Sequence, residues 1–180
     1  MAKISRIGFG QVEPNHLSAQ RNGQIYGQLP AAADIEVLEN GQFVKYDYAN
    51  GACNFEGAGE WMLVFNEVKL YDDGRESCKD FAMKKTAYYK GEMTPRVFKT
   101  MIGDIFTTNC LTTGNTDGKT AVELGEDGDA EGAIKVGATL GINAKGFLAL
   151  DGTKTDMEWQ IVKVYTMPDG QPAVKVMRIK

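Results

Sequence analysis

Histidine is almost missing from this sequence: His16 is the only one. A zinc site would have to rest on cysteines, and no Cys-x-x-Cys pair exists. Cysteine itself is scarce. Cys53, Cys78 and Cys110 are odd in number and far apart, which reads as buried or half-buried thiols in a protein made in a reducing cytoplasm. A Cys–His dyad would need His16, in the least patterned part of the chain, to meet one of them. No Gly-x-Ser-x-Gly elbow occurs. Gly8-Phe-Gly10 and Gly57-Ala-Gly59 are fragments of neither a dinucleotide fingerprint nor a phosphate loop. No run approaches the ~18 apolar residues of a membrane span, and the opening MAKISRIGFGQ has no apolar stretch of signal-peptide length. A basic excess is lacking too: 20 Lys and Arg stand against 24 Asp and Glu, a net charge of −4. That argues against nucleic acid as the main partner.

What is present is glycine in turn pairs. Asn22-Gly23, Asn40-Gly41, Asn50-Gly51, Asp73-Gly74, Asp117-Gly118, Asp127-Gly128, Asp151-Gly152 and Asp169-Gly170 punctuate runs rich in Val, Ile, Tyr, Phe and Thr. Such pairs supply the backbone geometry that tight hairpins need. The pattern predicts an all-β protein of antiparallel hairpins, a sandwich or small barrel. In residues 43–48, Val44, Tyr46 and Tyr48 alternate with Lys45 and Asp47, while Phe43 is out of phase. Residues 60–70, EWMLVFNEVKL, begin as a continuous apolar run, as a strand buried on both faces does. Residues 103–108 are another strand. Residues 158–166 and 173–180 form a closing hairpin around Met167-Pro-Asp-Gly170, with Val174 and Val176 in phase and a slip to Met177 and Ile179. The expected core is Trp61, Leu63, Phe65, Phe106, Trp159, Val162 and Val164.

Helical signals are weak. One short helix opening at Pro95 fits, with Val97, Phe98 and Met101 on one face. The flexible stretch TTGNTDG, residues 112–118, marks a composition shift. It suggests an extended N-terminal arm over 1–30, a β-rich domain over 31–112 and a smaller barrel-like domain over 113–180, or one continuous domain over 31–180.

Two stretches carry enough charge for chemistry. Residues 124–132, LGEDGDAEG, hold Glu126, Asp127, Asp129 and Glu131. They miss the register of a calcium-binding EF-hand loop. They read as a solvated turn joining 121–124 to 133–136, so no metal and no cofactor is expected. Lys84, Lys85, Tyr88 and Tyr89 mix bases with aromatics, as single-strand nucleic-acid surfaces do. Glu76, Asp80 and Glu92 dilute that field. An enzyme is not expected, since only an unsigned carboxylate cluster in a pocket remains open.

Five stretches, taken as a set, carry a resemblance: NGQIYGQLP (22–30), NGQFVKYDY (40–48), MLVFNEVKLYDDG (62–74), TPRVFKTMIGDIFTTNCL (94–111) and YTMPDGQPAVKVMRIK (165–180). Their layout resembles small structural proteins of tailed bacteriophages, of the capsid-decoration (cement) or head-fibre type. The resemblance implies a virion protein, made in the host bacterial cytoplasm, that binds the major capsid protein and copies of itself, as trimers or monomers at capsomer junctions. It brings no catalytic residues. Ile4, Ile7 and Phe9 of the arm are then the expected capsid contacts. Tail-tube, connector or head-fibre-base roles are the neighbouring alternatives, and a single-strand DNA-binding β-barrel is the alternative from another class.

Overall fold

Residues with branched and aromatic side chains, set between turn pairs, do fold as strands. The computed structural model describes residues 3–4, 6–15, 24–26, 29–68, 78–112, 122–123 and 134–180. Among them, in chain order, the strands are β1 (Lys3–Ile4), β2 (Val12–Glu13), β3 (Ile25–Tyr26), β4 (Val37–Leu38), β5 (Phe43–Asp47), β6 (Ala52–Asn54), β7 (Met62–Val64), β8 (Met83–Lys84), β9 (Val97–Phe98), β10 (Ile105–Thr108), β11 (Leu111–Thr112), β12 (Val122–Glu123), β13 (Thr139–Ile142), β14 (Leu148–Ala149), β15 (Trp159–Thr166) and β16 (Pro172–Arg178). Among the described residues, helix is confined to single 3-10 turns at Cys78–Asp80, Lys85–Ala87 and Tyr89–Gly91.

Two sheets make the body. The larger has seven strands in the order β11-β14-β13-β15-β16-β10-β2. The smaller has five, in the order β3-β9-β7-β5-β6. Pairings are antiparallel except β11 with β14. Two small ribbons, β1-β12 and β4-β8, complete the pairing.

The five-stranded sheet is covered on both faces. Phe43, Leu63 and Phe98 turn one way, into a core shared with Phe106, Leu140, Trp159, Ile161, Val174 and Val176 of the larger sheet. Val44, Tyr46, Met62, Val64 and Val97 turn the other way, against Ile35, Leu38, Phe81, Met83 and Met93. This explains why 61–64 is apolar without alternation, and why Phe43 breaks phase with Val44 and Tyr46: each face needs its own residues. Phe43, Phe106 and Trp159 meet ring to ring, with centroids 4.9 to 6.4 Å apart. Residues on both sides of position 112 therefore share one core.

The closing hairpin forms, Thr166 pairing with Pro172. The phase slip lies on β15, where the register shifts between Ile161 and Lys163. From Val174 onward β16 alternates, with Val174, Val176 and Arg178 buried and Lys175 and Met177 half-buried. The bulge leaves Val162 and Val164 half-buried, and Ile161 takes the core place expected for them. No helix opens at Pro95. Val97–Phe98 is a strand held between β3 and β7, and Met101 is exposed. The ladder on both sides overrides a spacing that suits a helix as well.

The N-terminal segment is laid into the body over its described part. Val12–Glu13 adds to β10 at the edge of the larger sheet. Lys3–Ile4 pairs with Val122–Glu123. So the described partner of Val122–Glu123 is Lys3–Ile4; loop 126–131 and His16 lie outside the described residues.

Candidate interaction surfaces

Segment 6–13 has little apolar periodicity, so its backbone and polar groups must find partners by other means. They find them in a socket built from distant parts of the chain. Arg6 forks onto Glu39 through both guanidinium nitrogens, and the side chains of this pair are 4% and 7% exposed. Arg6 also lies 5.8 Å from the Phe147 ring centre. Ile7 N donates to Gln171 Oε1 at 2.7 Å, Phe9 N to the Lys79 carbonyl at 2.6 Å, Gly10 N to Glu39 Oε2 at 2.7 Å, and Gln11 N to Asn109 Oδ1 at 2.9 Å. Thr108 Oγ1 donates to the Gln11 carbonyl at 2.7 Å. Gln11 Nε2 reaches Asp169 Oδ2 at 3.0 Å, and Gln171 Nε2 reaches the same oxygen at 2.6 Å. Glu39, Asn109 and Gln171 are all buried. Gly10 is required by space: a Cβ there would sit 2.6 Å from the Asn40 carbonyl oxygen and 2.7 Å from Cys110 Sγ.

Electrostatics follow this geometry. Partial burial pushes the Asp169 carboxyl up, but the hydrogen bonds from Gln11 and Gln171 outweigh it and hold the group below the usual carboxylate range. Burial drives the Cys110 thiol well above its ordinary value and raises Cys53 to about 12. Both thiols are free and buried, so they are inert packing groups rather than nucleophiles.

Of the expected arm contacts, Ile7 is exposed, Phe9 is half-buried under the Lys84 ammonium at 4.9 Å, and only the backbone pairing of Ile4 is described. The arm's backbone is thus spent within its own chain. The Lys84–Tyr89 stretch is likewise committed. Lys84 caps Phe9, Lys85 bonds the Ala33 carbonyl and Glu36, and Tyr88 packs on the core that holds Met83 and Met93. Tyr89 alone stands out, 84% exposed, with Lys90 over it. The structure does not assemble these four side chains into one platform.

A feature that sequence reading missed is the turn after β9. Met101 and Ile102 are 56% and 71% exposed. They are held out rigidly. Met101 N donates to Asp104 Oδ2 at 2.8 Å, and Asp104 N to the Met101 carbonyl at 3.0 Å. Gly103 N donates to the Arg178 carbonyl at 2.8 Å and Arg178 N to the Asp104 carbonyl at 2.9 Å. Gly103 takes φ +94°, which a side chain would resist. Arg178 in turn grips Glu60 at 2.7 Å and the Thr100 carbonyl. The signal was there in Ile102-Gly103-Asp104, a turn tripeptide, but apolar residues before a turn are assigned inward by default.

Among the described residues, no group of three or more His, Cys, Asp or Glu side chains lies close enough to hold a metal ion. None of the described helices is long and apolar enough to cross a membrane. No family model, curated protein or solved structure matches this chain.

Proposed function

We propose that this chain is a structural protein of a tailed-phage virion, one that binds the outside of the capsid and stabilises the junctions between capsomers. Its partners are the major capsid protein and further copies of itself, and its role is mechanical rather than catalytic. The phrase-level resemblance supplies the context. The observation that carries the reading is the Met101–Ile102 turn. Two large apolar side chains stand in water on a backbone pinned at Asp104 and Arg178. A preorganised apolar tip loses little entropy when it docks, which suits a contact repeated over a lattice. The gripping role expected of Ile4, Ile7 and Phe9 moves to this tip, because segment 6–13 is consumed by its own socket. The two-faced burial of the central sheet supports a stiff body able to bear load between subunits.

Quantitative mass spectrometry of purified particles tests the reading. About one copy per copy of the major shell protein, within a few-fold, is the expected result; absence from particles would sink it. Added back to particles stripped of it, the wild-type chain should bind and Ile102→Asp should not. A ratio of only a few copies per particle would indicate a connector or tail role instead.

A further inference from the structure

We propose that residues 6–13 are a detachable strand, and that the socket beneath them is a peptide-binding site able to take the same segment from a second copy of this chain. The inference goes beyond capsid decoration and stands whether or not particles carry the protein.

The first argument is the kind of bonding. The socket reads backbone: Ile7 N, Gly10 N and Gln11 N are received by the side chains of Gln171, Glu39 and Asn109, and Phe9 N between them by the Lys79 carbonyl. The side-chain acceptors come from three separate parts of the chain, and all three are buried. Without the segment, Glu39 and Asn109 Oδ1 lose the partners these bonds give them, while Gln171 Oε1 keeps only a 3.5 Å contact from Asn109 Nδ2. The site is therefore built to hold a peptide segment by its backbone.

The second argument is selectivity. Glu39 demands a guanidinium, which Arg6 supplies through two nitrogens. Four residues on, the close approach of Asn40 and Cys110 admits only glycine. Gln11 then reaches Asp169. The fitting occupant is a segment with the pattern Arg-x-Gly-x-Gly-Gln, since Gly8 takes φ +76° and a Cβ there would sit 2.2 Å from the Lys79 carbonyl oxygen, and this chain carries it at 6–11.

The third argument is access. β2 is the terminal strand of the seven-stranded sheet and pairs only with β10. An edge strand can leave and be replaced without opening the rest of its sheet; only the two-residue β1-β12 ribbon, which lies on the same N-terminal segment, must open with it. The contacts are the same whether the segment is supplied by its own chain or by a neighbour, so the choice falls to concentration and reach. The nine Cα steps from Asn15 to Gln24 span at most about 30 Å, enough to cross to an adjacent small domain.

Complementation between two full-length variants tests this. Gly10→Ala spoils the strand and leaves the socket intact. Glu39→Ala combined with Asn109→Ala spoils the socket and leaves the strand. Each alone should stay monomeric at micromolar concentration by size exclusion with light scattering, and the mixture should form a 1:1 heterodimer. Folded variants that never associate would overturn the proposal. If either variant fails to fold, a second arm decides. A specific protease site is placed within residues 16–23 of the otherwise wild-type chain, and the folded protein is cleaved there. A fluorescent peptide of residues 1–15 should then exchange into the socket, and a Gly10→Ala peptide should bind at least 100-fold more weakly. Failure of the wild-type peptide to enter, or equal entry by both peptides, would overturn it.

Discussion

The two hydrophobic cores on either side of the five-stranded sheet are made differently. The inner one lies between two regular ladders and is filled by interlocking rings, Phe43, Phe106 and Trp159, with aliphatic residues around them. The outer one lies between a sheet and a cover of short ribbons and 3-10 turns. It is filled by Met62, Met83, Met93, Tyr46, Phe81 and a free thiol, Cys53. Rings between two pleated surfaces have few ways to fit; thioethers under an irregular cover have many. The comparison teaches that one sheet can carry a rigid interface on one face and a forgiving one on the other.

Substitutions should separate the two. Trp159→Ala should cost about 3–5 kcal/mol, read from urea unfolding, because the indole is fully buried against two other rings. Arg6→Ala should come close behind, at about 3–5 kcal/mol, since Glu39 would be left as a buried charge without its partner. Met83→Leu in the outer core should cost less than about 1.5 kcal/mol, the range for volume-conserving exchanges. If Met83→Leu matched Trp159→Ala, the contrast between the cores would be wrong. Asp169 gives a pH-dependent effect. Its folded carboxyl titrates below the unfolded one, so its stabilisation is complete above the ordinary value near 4 and is lost as pH falls through the folded value. The stability gap between wild type and Asp169→Asn should therefore narrow below about pH 4. Smallest of all, Ile102→Asp should change stability by no more than about 0.5 kcal/mol while abolishing attachment to particles.

The inner core was the more legible in sequence. Strands β10, β15 and β16 announce themselves by β-branched residues between turn pairs, and the unbroken run at 61–64 signals burial on two faces. Val162 and Val164 misled because a bulge is a backbone event that leaves no mark in hydrophobic period. Pro95–Met101 misled because Val97, Phe98 and Met101 fit a helical face as well as a strand followed by a turn; only the neighbours β3 and β7 decide. The socket was the least legible. Its bonds run to peptide N–H groups, which every residue but proline has, and its acceptors are ordinary Glu, Asn and Gln scattered over more than 130 positions. Arg6, Gly8 and Gly10 are the residues whose identity matters, and none stands out until Glu39 and the Lys79 and Asn40 carbonyls are placed beside them.

Strand order also sets a timetable. The five-stranded sheet draws only on residues up to Phe98, whereas the seven-stranded sheet has β16 lodged between β15 and β10. It cannot close until Arg178 has been made. At a synthesis rate of about 5–20 residues per second, the first sheet waits on the order of 4–16 s for the second. During that interval Phe43, Leu63 and Phe98 face outward with nothing to cover them. The newborn chain is thus stickiest just before β16 emerges, and shielding in those seconds, by a chaperone or by dilution, governs how much of it reaches the native state.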